Sequence, residues 1–126
     1  MISEEILEYH YGEIANKLDE MIPVEWKKIV MQAIDFGTSA TVYFYFYTKD
    51  DQLHDGGAIP NEYNVDQTIY NNFVSELIDI NSNFREEFVK ANIDPWESMT
   101  FILNEDWSFK VDFEYDINKE IGNFER

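Results

Sequence analysis

The sequence has no cysteine, which excludes disulfides, thiolate metal ligands and a cysteine nucleophile, and is compatible with a reducing compartment. No apolar run approaches the roughly 20 residues that a membrane-spanning helix needs. The N-terminus, Met1-Ile2-Ser3-Glu4-Glu5, is acidic where a secretory signal would be basic, so a cytoplasmic protein with no membrane partner is expected. Basic residues are scarce: 9 Lys and Arg stand against 26 Asp and Glu, for a formal charge of −17. Such a surface repels phosphate backbones, so direct nucleic-acid binding is not expected, whereas attraction to a basic protein is natural. His10 and His54, the two histidines, are far apart in the chain and have neither triad nor zinc-ligand spacing. Glycine-rich phosphate cradles and nucleophile elbows are missing. No catalytic group, metal or cofactor is therefore expected.

What the chain does contain is apolar and aromatic material, 44% and 17% of its residues. That is enough for a packed core and too much for disorder, and 126 residues fit one domain spanning 1–126. The stretch 41–48, TVYFYFYT, is the clearest strand, because aromatic and β-branched residues suit a pleated surface. Alternation sends Val42, Phe44 and Phe46 to one face and Tyr43, Tyr45 and Tyr47 to the other. The first face has no polar atom and fits a closed core. The tyrosine face carries hydroxyls that need water or a partner.

Residues 3–21 read as a helix, with Ser3 as cap, Glu4 and Glu5 at its positive end, and Leu7, Tyr11, Ile14, Leu18 and Met21 at helical period. Beyond Pro23, residues 25–34 form a strand, and the turn 35–39, in which Gly37 permits positive φ, joins it to the aromatic strand. Residues 49–64 are dense in Asp, Gly, Asn and Pro and read as a polar loop. Within it Asp51, Asp55, Gly56 and Glu62 match positions of a calcium-binding EF-hand loop, but Leu53 and Pro60 break the pattern and a solvated connection is the better reading.

A second, longer helix is expected from Asn64 to about Ala91, with Gln67 in a capping-box position and a stripe of Ile69, Phe73, Leu77, Ile80, Phe84 and Phe88. Asp94-Pro95 ends it. Residues 98–104 and 108–116 then form a second hairpin turned by 104–107, with Phe109, Val111, Phe113 and Tyr115 inward and Lys110, Asp112, Glu114 and Asp116 outward. Residues 117–126 have weak periodicity and read as a frayed or disordered tail. The order is αββ-αββ. It predicts an α+β domain with an antiparallel sheet of about four strands and two packed helices.

The outward carboxylates Asp112, Glu114 and Asp116 offer two readings beyond a solvated face. An acid pair for hydrolysis would need a raised pKa from an apolar pocket, which alternating exposed acids do not supply. A docking surface for basic side chains of a partner fits better, with Asp106 and Trp107 at the adjoining turn providing charge and an aromatic anchor. Tyr43, Tyr45 and Tyr47 form a second possible contact surface, unless a helix of the chain covers them.

Residues 11–26, YGEIANKLDEMIPVEW, resemble the opening of the YezG-like antitoxin family, also described as the DUF600 group. The resemblance continues through Val42 to Tyr47, IPNEYNVD (Ile59 to Asp66), FREEF (Phe84 to Phe88), PWESMTF (Pro95 to Phe101) and FKVDFEYD (Phe109 to Asp116). One departure is Gly56-Gly57-Ala58, where a bulkier stretch is expected. The resemblance implies an antitoxin or immunity protein that binds and silences the nuclease domain of a polymorphic toxin exported by type VII secretion. On that reading the partner is a basic nuclease toxin, met by Asp106, Trp107, Asp112, Glu114 and Asp116 or by Tyr43, Tyr45 and Tyr47. A small acidic carboxylate-dependent hydrolase and a self-associating structural subunit are the alternatives.

Overall fold

The computed structural model describes residues 1–115. Helix α1 (Glu4–Met21) starts where its cap places it, with the Ile6 N–H donating to Ser3 Oγ at 3.2 Å. Strands β1 (Trp26–Asp35) and β2 (Ala40–Thr48) form the first hairpin, and Gly37 in its turn has φ +86°. A long helix, α3 (Gln67–Lys90), leads to β4 (Ser98–Asn104) and β5 (Phe109–Glu114). The architecture is α+β, and the sheet is antiparallel with β3 (Leu53–Asp55) at one edge, in the strand order β3-β2-β1-β4-β5.

Residues 49–64 differ from the expected polar loop. They contain a short edge strand, β3 (Leu53–Asp55), a 3-10 turn at Gly56–Ala58 and a one-turn helix, α2 (Ile59–Glu62). Among the described residues the sheet thus has five strands, and the αββ-αββ order is interrupted by this insertion. The carboxylates of the calcium-like pattern are taken by other partners: Asp51 pairs with Lys27, Asp55 accepts from the Gly57 N–H, and Glu62 pairs with His54. Gly56 itself is fixed by packing. A Cβ there would lie 2.7 Å from the Phe44 carbonyl oxygen and ring, and the Gly56 carbonyl accepts from the Tyr70 hydroxyl.

Helix α3 begins later than the capping-box reading placed it. Asp66 is the cap, its Oδ1 accepting from the Thr68 and Ile69 N–H groups at 2.9 and 3.1 Å, while Asn64 sits in the left-handed region at φ 55°. An Asx side chain suits either position, and only the actual turn geometry decides which one caps.

Both long helices lie on one face of the sheet. Ile14 and Leu18 of α1 and Leu77, Phe84 and Phe88 of α3 join Ile29, Met31, Phe44, Phe46, Met99, Phe101 and Leu103 in one core. Trp26 and Trp96, each just after a proline, are both buried in it. Along β5 the expected alternation holds for Val111 and Phe113, which pack against this core. Phe109 stacks on Phe101 at 5.3 Å but stays exposed, and Tyr115 lies past the strand and is also exposed rather than inward. Asp116 and the tail 117–126 lie outside the described residues.

Candidate functional surface

The opposite face of the sheet is bare among the described residues. On β2, Tyr43 and Tyr45 are 53% and 39% exposed while Phe44 and Phe46 are buried beneath the helices. No helix among the described residues covers the tyrosines. The β2–β1 register sets Tyr43 beside Gln32, Tyr45 beside Val30 and Tyr47 beside Lys28. The β1–β4 register adds Thr100 to Gln32, Ile102 to Val30 and Asn104 to Lys28, and β5 sets Asp112 beside Thr100, Lys110 beside Ile102 and Glu114 beside Ser98. Leu53, 60% exposed, and Asp55 extend the face from β3, beside Tyr47 and Tyr45.

Two residue groups that the sequence kept apart therefore share one surface. The row Tyr43, Gln32, Thr100, Asp112 links the tyrosines to the carboxylates over three strand spacings, or about 14 Å. The Tyr43 hydroxyl donates to Gln32 Oε1, and Gln32 Nε2 donates to Ser98 Oγ at 2.9 Å, so the tyrosine face has an ordered polar seam. Tyr45 and Tyr47 meet edge to face at 6.1 Å. Sequence alternation could have flagged Val30 and Gln32, but Ile102 is flanked by Phe101 and Leu103 of the core face, so the apolar run hides its outward direction.

Trp107 and Asp106 lie elsewhere. The turn they occupy is at the end of the β4–β5 hairpin remote from Glu114, roughly 20 Å along β5. Trp107 packs edge-on to Trp26 at 6.0 Å, beside a hollow lined by Ile22, Pro23, Val24 and Lys49. It remains 45% exposed and has φ 68°, a left-handed conformation unusual for a bulky side chain. Asp106 Oδ1 accepts from the Ser108 hydroxyl at 2.6 Å and the Ser108 N–H at 3.0 Å, and these bonds hold its carboxyl below the ordinary value.

An open cleft of about 570 Å³ separates this turn from the β2–β3 turn, lined by Lys27, Lys28, Tyr47, Asp51, Asn104 and Asp106. Lys27 Nζ lies 2.6 Å from Asp51, a bond that raises the lysine pKa. Lys49 pairs with Glu105 at 2.5 Å across the two turns.

A buried carboxylate in a hollow would favour hydrolysis, and Asp35 is buried beside a hollow of about 240 Å³. Both of its oxygens are occupied. Oδ1 accepts from the Gly37 N–H and Oδ2 from Ser82 Oγ, each at 2.8 Å, so the group ties the β1–β2 turn to α3. His54 stacks on Phe46 at 5.2 Å with Nδ1 against Glu62, fastening β3 to α2. His10 is buried against Phe84, with ring centroids 5.4 Å apart. Among the described residues no group of three or more His, Cys, Asp or Glu could hold a metal ion. No helix among them is long and apolar enough to cross a membrane.

Charge is divided between the layers. Helix α1 carries Glu4, Glu5, Glu8, Glu13, Asp19 and Glu20 against Lys17 alone, and α3 carries Glu76, Asp79, Glu86 and Glu87 against Arg85 and Lys90. In the strands Asp35, Asp55, Asp112 and Glu114 face Lys27, Lys28 and Lys110. The long helices are more acidic than the strands, and the open sheet face is close to neutral and aromatic, while over half of the net charge lies in neither the long helices nor the strands.

The fold and this face define a small α+β domain that presents a broad aromatic surface on a near-neutral sheet backed by acidic helices. Residues 7–126 match the family described as "Immunity protein YezG-like", and the chain belongs to that family. It is 35% identical to the "Type VII secretion system protein EsaG" of Staphylococcus aureus, over all of this chain and 79% of that protein. It is 34% identical to "Immunity protein YezG" of Bacillus spizizenii, over 92% of this chain and 74% of that protein. The same-named protein of Bacillus subtilis is 33% identical, over 92% of this chain and 79% of its own length.

Proposed function

We propose that this protein is an antitoxin that binds a nuclease toxin directly in the cytoplasm and silences it by stoichiometric contact. Membership of an immunity protein family supports the antitoxin role, and the relative named for type VII secretion supports a toxin exported by that route. The net charge of −17 supports a basic partner and disfavours nucleic acid as a direct ligand. A nuclease with a cationic DNA-binding cleft meets that description.

One observation carries the reading: the sheet face of Tyr43, Tyr45 and Tyr47 is uncovered among the described residues and continuous with Asp112 and Glu114. Tyrosines bury much area at low entropic cost, and the carboxylates at the β5 end supply pairing groups for Lys or Arg. Asp116 follows Glu114 by two positions and extends the acidic ladder in sequence. Trp107 and Asp106 form a second contact point at the far corner, where the strained backbone of an exposed tryptophan is consistent with an anchor. The test is DNA cleavage by the co-encoded nuclease with and without an equimolar amount of this chain. Cleavage should stop and a one-to-one complex should form; unchanged cleavage with no complex would end the proposal.

A further inference from the structure

The charges on the open sheet face are arranged for a second copy of the same face. The row Asp55, Tyr45, Val30, Ile102, Lys110 crosses five strands with an acid at one end, a base at the other and apolar side chains between them, Lys110 also lying 3.7 Å from Asp112 Oδ2 and Asp55 also accepting from the Gly57 N–H. A two-fold axis running along β1 exchanges β3 with β5 and β2 with β4. It sets each Asp55 over Lys110 of the other copy, each Tyr45 over Ile102, and Val30 over its own equivalent. An isologous contact requires this self-complementarity, and a row with like charges at both ends would forbid it. The axis also brings the two Lys28 side chains together, at a rim where Asp51, Glu105 and Asp106 line the same cleft.

The acids of the two long helices stay clear of such a contact. Two sheets packed face to face lie about 10 Å apart, and the acidic helices lie about 10 Å further out on each side. The two helical layers are then roughly 30 Å apart, against a screening length of about 8 Å at physiological salt. Strands β1 and β2, about 30 Å long, and β4 and β5, about 20 Å long, at a spacing of about 4.8 Å and together with the short β3, give roughly 500 Å² per copy. A total near 1,000 Å² falls just under the standard interface size, which fits a pair that forms and dissociates readily.

We propose that this face pairs with the same face of a second copy about that axis, and that the toxin displaces the second copy. The displacement rests on the antitoxin reading; the pairing does not. Sedimentation velocity of the chain alone, from dilute to millimolar loading, should show a reversible monomer–dimer equilibrium. Lys110→Glu should weaken the dimer about tenfold by placing acid over acid at both ends, and adding Asp55→Lys should restore it. Tyr45→Lys, which touches no charge pair, should leave a monomer with an unchanged circular dichroism melt. A chain monomeric at every loading, or a dimer indifferent to Lys110→Glu and to Tyr45→Lys, would overturn the pairing. Adding the nuclease should convert dimer into a complex with one copy of this chain per toxin. A complex that retains two copies in mutual contact would overturn the displacement. A dimer that ignores the nuclease altogether would instead remove the antitoxin reading and leave the pairing intact.

Discussion

Alternate residues of β2 meet opposite surroundings although they share one backbone and one set of ladder bonds. Phe44 and Phe46 are 5% and 0% exposed, and Tyr43 and Tyr45, one position away, are 53% and 39% exposed. The inner residues hold the helices to the sheet, and the outer ones contact no helix among the described residues. The difference teaches that stability and contact are separable along a single strand. Substitutions on one face should leave the property of the other untouched.

The sharpest way to break that contrast is to truncate both faces. Phe46→Ala empties a fully buried ring site and should cost about 3–5 kcal/mol, whereas Tyr45→Ala should stay within about 0.5–1 kcal/mol in urea denaturation. Comparable losses at the two positions would show that the outer face also carries the fold. Gly56→Ala tests the inner face from the turn that follows the edge strand. A Cβ 2.7 Å from the Phe44 carbonyl oxygen forces backbone movement, and about 1–3 kcal/mol should be lost.

On the outer face, Asp112→Lys with Glu114→Lys should slow association with the toxin by about tenfold at low salt, while the urea midpoint stays put. Stopped-flow binding at two ionic strengths would measure this, and an unchanged rate would confine the contact to the tyrosines. The smallest effect concerns Tyr70, whose phenol is pushed up to about 12 by burial, with the Asp55 charge adding to the rise. Its folded pKa exceeds its unfolded one, so the stability it lends is fully present below about pH 10 and is shed as pH climbs towards about 12. Tyr70→Phe should flatten that part of the stability profile; an equally steep fall in the variant would assign the alkaline loss to other groups.

Much of this was legible in the sequence, and the reasons are local. Ser3 and the apolar period of α1 mark the first helix, and the succession of aromatics marks β2 with its two faces. Strand β3 was not legible, because three residues cannot display a period and Asp, His and Gly around them read as loop. The long-range arrangement was also hidden. Two hairpins can join through several strand pairs, and the pairing of β1 with β4 across the whole length of α3 is what brings Tyr43 and Asp112 onto one surface. The separation of Trp107 from the acidic ladder follows from direction: consecutive in sequence with β5, the turn lies at the opposite end of the strand from Glu114.

The central claim is that the uncovered tyrosine face captures the toxin. Nuclease activity measured at equimolar protein with Tyr43→Lys/Tyr45→Lys tests it most directly, alongside the variant's thermal melt. DNA cleavage by the nuclease at its uninhibited rate in the presence of a normally folded variant is the predicted result; full inhibition by that variant would contradict the account.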